Sequence, residues 1–120
     1  MASLFETTAG KLIGPTSGGT VTQDTSKATG VTLNKPSGQI TTSDASLAGG
    51  AEVSFVVTNS EIAATDVVIT NVASGASTGT YIASVSAVAA GSFTVTLSNV
   101  GDTAGEALVL NFVALKGASS

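Results

Sequence analysis

The stretch Ser92–Asn99, "SFTVTLSN", decides the fold class of this chain. Apolar side chains stand at Phe93, Val95 and Leu97, and hydroxyl groups stand at the positions between them. Because successive side chains of a β-strand point to opposite faces of a sheet, this alternation is typical of a strand with one face in a core and one in water. The stretch predicts a half-buried strand and contains no reactive group.

The same period of two recurs along the chain outside this stretch, interrupted by clusters of turn residues about every ten positions. The predicted strands cover residues 20–23, 30–34, 39–42, 52–59, 66–73, 80–88, 92–99 and 106–117. The pair on either side of Ala89-Ala90-Gly91 forms the clearest predicted hairpin, because a short loop with a glycine joins two alternating runs. We predict an all-β fold, an antiparallel β-sandwich or jelly-roll-like domain of about eight short strands.

The first residues differ from the rest, so we divide the chain into an N-terminal arm at 1–19, a β-sandwich domain at 20–117 and a C-terminal tail at 118–120. A solvent-exposed tail gains nothing from large apolar side chains, so those of the arm should dock on the domain's own flank or on a neighbouring molecule. A partly disordered N-terminus is the alternative. The predicted contact residues of the arm are Leu4, Phe5, Leu12 and Ile13.

The last predicted strand, 106–117, is apolar on both of its faces. One row contains Ala107, Val109, Val113 and Leu115, and the other contains Leu108, Leu110, Phe112 and Ala114. The outer face of a sandwich is normally wet, so a second apolar row should be covered by a sharply curled barrel or by another subunit. We favour the subunit, and predict that the subunit interface is the row of Leu108, Leu110, Phe112 and Ala114.

Composition excludes several classes of function. The chain of 120 residues is long enough for one hydrophobic core, and only 10% of its residues are charged, against roughly 25% in an average soluble domain. It contains no His, Cys, Trp or Arg. Without His or Cys the usual transition-metal ligands, thiolate nucleophiles and neutral-pH general bases are missing. We therefore predict a protein that is not an enzyme and that uses no metal and no cofactor.

Charge and hydropathy also restrict the partners. A net charge of -4 without any Arg disfavours nucleic acid and anionic membrane surfaces, since both are bound by clustered Lys and Arg. The longest apolar run, near residues 107–115, is much shorter than the roughly 20 residues of a membrane-spanning helix. The start of the sequence lacks the basic and apolar regions of a secretory signal. We expect a soluble protein that is made in the cytoplasm.

The ionisable side chains give weak signals for a site. Glu61 with Asp66, or Asp102 with Glu106, could lie close together as a hydrolase requires, but both pairs fall in predicted loops or at strand edges. Asp102 lacks the dense acidic spacing of a calcium loop. For all of these acids we prefer a role in surface hydration and edge protection to one in catalysis or calcium binding. The lysines at 27, 35 and 116 are predicted to be solubilising edge charges.

Several segments together resemble a family of small virion proteins of tailed phages and prophages, most closely the capsid decoration, or cement, proteins. The segments are "GGTVTQ" at 18–23, "TGVTLNKPSGQITT" at 29–42, "SFVVTNSEIAATDVVITNVASG" at 54–75, "VAAGSFTVTLSN" at 88–99 and "EALVLNFVALKG" at 106–117. The resemblance covers nearly the whole chain after the arm, and the family has no catalytic residues to transfer.

The resemblance implies an all-β protein, commonly a homotrimer, on the outer surface of the phage head, where it stabilises the capsid by non-covalent contacts. Its expected partners are the major capsid protein and further copies of itself, and its location is the virion, after synthesis in the host cytoplasm. The arm would then contact the capsid protein or a neighbouring subunit. A tail fibre, spike or carbohydrate-binding virion component is the alternative, although Tyr81 is the only Tyr or Trp available to a sugar site.

Overall fold

Strands with alternating polarity form two stacked sheets in residues 18–116, the part of the chain that the structure, a computed structural model, describes. Each predicted strand segment contains or overlaps an observed strand. The strands are β1 (Gly18–Thr22), β2 (Val31–Thr32), β3 (Ser37–Thr41), β4 (Glu52–Thr58), β5 (Val67–Ser74), β6 (Tyr81–Ala89), β7 (Ser92–Asn99) and β8 (Val109–Leu115). The prediction of an all-β sandwich is confirmed.

The two sheets are mixed rather than wholly antiparallel. Sheet A has the strand order β1-β3-β8-β5, and sheet B has the order β2-β4-β7-β6. β1 is parallel to β3 and β2 is parallel to β4, while the other pairs are antiparallel. The reason lies in the connections, since the chain alternates between the sheets over its first four strands. The chain leaves β1, crosses to sheet B and returns to sheet A as β3 in the same direction, and β2 and β4 are related in the same way. The prediction of antiparallel pairing is therefore wrong for these two pairs.

The core lies where the inner rows of the two sheets meet. Phe93, Val95 and Leu97 of β7 are all buried, as their alternation predicts. The ring of Phe93 packs on that of Phe112 in β8, with 5.2 Å between the centroids and a tilt of 53°. Each large side chain buried in this way contributes on the order of 1.5 to 3 kcal/mol to folding. The contact joins the second sheet to the first through their central strands.

The predicted subunit interface on the last strand is wrong. Its four residues belong to the core of the chain itself, and the relative exposures are Leu108 0%, Leu110 0%, Phe112 3% and Ala114 4%. The cause is the position of β8 between β3 and β5, with this row directed at sheet B. The opposite row, at 109, 111, 113 and 115, lies on the outer face of sheet A. Asn111 interrupts that row and was the sequence signal for its orientation.

The boundaries of the predicted elements shift by a few residues. β1 begins at Gly18, so two residues of the predicted arm belong to the domain, and β8 begins at Val109 rather than at 106. The predicted hairpin is confirmed, because β6 pairs with β7 across a turn in which Gly91 has a φ of 85°. The predicted arm contacts Leu4, Phe5, Leu12 and Ile13 lie outside the described residues, as does the tail at 118–120.

Candidate functional site

The outer face of sheet A combines an apolar area with a row of amides. Val67 and Ile69 of β5 are each 52% exposed, and their cross-strand partners on β8, Leu115 and Val113, are partly exposed. We call these four residues the aliphatic patch. Next to the patch a polar row crosses all four strands, and its members are Thr20, Gln39, Asn111 and Asn71. Within this row the Gln39 side-chain amide donates to Asn111 Oδ1 over 3.0 Å.

The outer face of sheet B is covered with hydroxyl groups. Thr96 Oγ1 donates to Ser86 Oγ over 3.0 Å, and a hydrogen bond of 2.8 Å joins it to Ser54 Oγ. Because the single proton of Thr96 is used toward Ser86, Ser54 must be the donor in the second bond. Two aliphatic side chains interrupt this face, Val56 and Ile82, with exposures of 46% and 57%. Three of the hydroxyl groups on this face are thus joined by hydrogen bonds to one another.

Both sheet faces are almost free of charge. Within the eight strands of residues 18–116, Glu52 is the only charged residue, and it accepts a hydrogen bond from Ser98 Oγ over 3.2 Å. The strands of sheet A contain none. Removing a charged side chain from water is costly, whereas hydroxyl, amide and aliphatic groups can be covered at much lower cost. These faces therefore suit contact with another protein surface.

Lys27 is not the edge charge that the sequence predicts. Its side chain is buried, and Nζ donates to the carbonyl oxygens of Ser43, Ala45 and Glu106 at 2.6, 2.8 and 2.7 Å. Burial lowers the pKa of Lys27, while the negative charges of Asp44 and Glu106 act in the opposite direction. The ammonium group thus joins the loop after β3 to the segment before β8. Its role is to hold two loops together.

Glu106 is the most strongly constrained carboxylate of the described residues. Its oxygens accept hydrogen bonds from the backbone N–H groups of Ser77, Thr78 and Gly79, at 2.7, 2.7 and 3.0 Å, and from the Tyr81 hydroxyl at 2.8 Å. These donors, with the Thr78 N–H first, lower the pKa of Glu106 to about 2. Desolvation and the bond to Glu106 raise the pKa of Tyr81 to about 12.

Neither predicted pair of acids forms a two-carboxylate site. Asp66 accepts a hydrogen bond from the Ala63 N–H and forms an ion pair of 3.0 Å with Lys116, while Glu61 contributes only its backbone carbonyl to that lysine. Asp102 is exposed and Glu106 is occupied by the 77–79 loop. Across residues 18–116 no group of three acidic, His or Cys side chains is placed to hold a metal ion.

Buried amides that were not predicted from the sequence hold the remaining loops. Asn99, fully buried at the end of β7, donates to the carbonyls of Leu47 and Asp102 and accepts from the N–H of Gly101. Asn59, fully buried after β4, donates to the Lys35 carbonyl. Each asparagine stands two positions after the last apolar residue of an alternating run, so its side chain points to the same inner face as that run. That phase was the available signal, because an amide there must find partners inside the fold.

A shallow groove of about 500 Å³ lies on sheet A beside β1. Its lining includes Gly18, Gly19 and Gly38, with Gln39, Asn111 and Phe112. Gly18 leaves this part of the outer face without a side chain. A Cβ at Gly38 would point toward the core and lie 2.7 Å from the Gly19 carbonyl oxygen and 2.8 Å from the Leu33 side chain, so β1 approaches β3 closely there. The groove contains no charged residue, which continues the character of the whole sheet.

Comparisons of the chain with protein-family models, with curated proteins and with solved structures found no match. Within residues 18–116, no helix has the length and hydropathy needed to span a lipid bilayer.

Proposed function

We propose that this chain is a structural protein of a phage virion, a decoration or cement protein that binds the outside of the head and stabilises it by non-covalent contacts. The observation that carries the proposal is the pair of sheet faces that are almost free of charge, one of which presents the exposed aliphatic patch. The chain acts as a homo-oligomer, with a trimer expected from the resemblance, and its second partner is the major capsid protein. It is not an enzyme and uses no cofactor.

The aliphatic patch replaces the interface that the sequence analysis placed on the other row of β8. A sister subunit that covers Val67, Ile69, Val113 and Leu115 removes apolar area from water without stripping a charge. Association of this kind depends little on ionic strength, because screening acts on charges. Many equivalent sites on a capsid surface then let modest individual contacts add up to firm attachment.

The ionisable groups support a mechanical role rather than a chemical one. Lys27, Glu106 and Asp66 spend their hydrogen-bonding capacity on loops of the same chain. The hydroxyl of Tyr81 is likewise bound to Glu106, and its ring is only partly exposed, which gives a sugar little aromatic surface to stack on. This weighs against the carbohydrate-binding alternative.

Virions from the strain whose genome encodes the chain provide the direct test. Antibody raised against the purified protein, detected with gold particles in electron microscopy, should label the heads of intact particles and leave particles from a gene-deleted strain unlabelled. Labelling of tails would establish the fibre or spike alternative instead. Particles without any labelling, and without the chain in their mass spectra, would refute a virion role.

The patch is tested with the purified protein by light scattering. The double substitution Val67→Ser and Ile69→Ser should dissociate the oligomer, with a loss in affinity of roughly 30-fold per contact if each half-exposed side chain contributes about 1 kcal/mol. The matched control, Val56→Ser with Ile82→Ser, alters equally exposed side chains on sheet B and should leave the oligomer intact. A wild-type chain that stays monomeric at high concentration would contradict the proposed interface.

A further inference from the structure

The outer edge of β1 differs from the other three sheet edges. β5 and β6 each contain a bulge, between Val72 and Ser74 and between Val85 and Ala87, and β2 is only two residues long. Bulges and short strands protect an edge against the addition of another strand. β1, with the sequence "GGTVT", has five paired residues in regular register and contains no bulge, no proline and no charge.

The main-chain groups of this edge have a definite direction. The Gln23 N–H donates to the Thr41 carbonyl of β3 over 2.8 Å, so the odd-numbered residues of β1 direct their main-chain groups toward β3. Since these directions alternate along a strand, the N–H and C=O groups of Gly18, Thr20 and Thr22 point away from the sheet. Within residues 18–116 no strand pairs with this side of β1.

The groove lies beside the same edge. Gly18 and Gly19 form its rim, and Phe112 contributes to its lining. A strand added along β1 would carry side chains on the outer face next to Gly18, where the missing side chain leaves access to the groove. An aliphatic or aromatic side chain fits this uncharged lining, and a charged one would lose hydration without gaining a partner.

The chain itself supplies a segment of matching chemistry. The 17 residues before Gly18 contain two apolar pairs, Leu4–Phe5 and Leu12–Ile13. Fully extended, they span roughly 55 Å, which exceeds the longest extent of the structure, 48 Å. The segment joins the domain at the rim of the groove, so both pairs can reach the groove of an adjacent copy without a chain reversal. For the arm to occupy the groove of its own chain, the chain would have to reverse at Pro15, and only Leu12–Ile13 would then lie along β1.

We propose that residues 1–17 of a neighbouring copy add a strand to the open edge of β1 and place one apolar side chain in the groove. This inference deepens the proposed assembly role and rests on it for its biological setting, because it identifies the neighbouring subunit as the acceptor of the arm. Main-chain hydrogen bonds supply the affinity, and the groove selects the register.

The test uses full-length chains of two kinds, mixed in solution. The chain has no cysteine, so an Ala9→Cys variant carries a single nitroxide label on the arm. The second kind of chain carries no nitroxide and is enriched in ¹⁵N. Nuclear magnetic resonance then measures how far the nitroxide broadens its amide signals. We expect the amide signals of Gly18, Thr20 and Thr22 in the ¹⁵N chains to broaden, while those of the β6–β7 hairpin stay sharp. Excess synthetic peptide of residues 1–17 should reverse the broadening.

Two substitutions in the ¹⁵N chains separate strand addition from general proximity. Thr20→Pro removes an N–H that points away from β3, so the β1–β3 ladder is kept, and the broadening at Thr22 should fall at least tenfold. Thr20→Ala keeps that N–H and should broaden like the wild type. Should Thr20→Pro fail to fold, Phe5→Ser with Ile13→Ser on the spin-labelled chains gives the same comparison, and broadening that persists would overturn the proposal.

Two results would overturn the inference directly. One is the absence of broadening in mixed samples, and the other is broadening that appears only when the nitroxide and ¹⁵N are on the same chain. Both are independent of the labelling of virions, so failure of this contact and failure of the decoration role are distinguishable. If the spin-label experiment shows exchange of the arm between copies but the antibody does not label phage heads, the arm contact stands and the decoration role is refuted.

Discussion

The loops and the sheet faces of this protein use polar groups in opposite ways. In the loops and at the strand ends that border them, a buried ammonium group, a carboxylate with four donors and two buried amides hold the chain in place. The residues are Lys27, Glu106, Asn59 and Asn99. On the sheets, hydroxyl, amide and aliphatic groups face outward, and among the strands of residues 18–116 only Glu52 is charged. The ionisable side chains and the buried amides thus form their hydrogen bonds within the chain itself.

In a sandwich with few charges, the outer faces are therefore better candidates for function than the ionisable side chains. A reactive-looking side chain such as Lys27 is fully engaged by backbone carbonyls, so it is unsuited to catalysis or ligand exchange. The sheet faces instead present exposed aliphatic side chains, such as Val67, Ile69 and Ile82. Their neutrality lowers the cost of burial against a partner.

The largest effect should come from removing the ammonium group that joins two loops. Lys27→Met leaves the carbonyls of Ala45 and Glu106 without this donor, while the Ser43 carbonyl keeps the Thr42 hydroxyl, and each buried unsatisfied group costs about 1 to 3 kcal/mol. We expect the free energy of unfolding, measured in urea at one protein concentration, to fall by roughly 4 kcal/mol. Lys35→Met, at an exposed position, should change it by less than about 0.5 kcal/mol. Equal effects of the two substitutions would remove the distinction between loop and surface charges.

The next effect compares the two rows of a single strand. Leu110→Ala opens a cavity beneath sheet A and should destabilise the fold by about 3 kcal/mol, whereas Val109→Ala, on the outer row and partly exposed, should cost about 1 kcal/mol or less. Thermal and urea unfolding of both variants measure the difference. If Val109→Ala proved the more damaging, the orientation of β8 described above would be incorrect.

The period of two was sufficient to predict the fold class, the strand count and the β6–β7 hairpin. A strand that buries one face has apolar residues at every second position, so the sequence shows the pattern directly. It could not give the orientation of β8, since a strand with two apolar rows satisfies either assignment. Only Asn111 separates them, by interrupting the outer row. Parallel pairing of β1 with β3 was also beyond the pattern, because it depends on how the chain crosses between sheets.

The candidate surfaces were less predictable than the fold. The aliphatic patch joins residues from β5 and β8 that are distant in sequence, and the register that places Ile69 beside Val113 is a property of the folded sheet. The buried position of Lys27 depends on carbonyls from two separate loops. A sequence pattern records the burial of apolar residues well, but it carries little information on a polar residue whose partners are backbone atoms.

The smallest effect concerns acid stability, and it tests the loop side of the comparison through Glu106. Its pKa is about 2 in the folded chain and 4.5 for an unperturbed glutamate, so folding favours the charged form. The resulting stabilisation is fully present above pH 4.5 and is lost as the pH falls from there toward 2. Unfolding in urea should therefore become easier over this interval. Glu106→Gln should be less stable at neutral pH and should lose less on acidification.

The matched control is Glu52→Gln, which removes the same charge from a strand face, where the carboxylate accepts a hydrogen bond from Ser98. It should keep the wild-type dependence of stability on pH, because the 77–79 loop still has its carboxylate. If both variants flattened the acid profile equally, the donors around Glu106 would not be its source. The 77–79 loop would then be held by packing, and the division between charged loops and nearly uncharged faces would describe composition rather than stability.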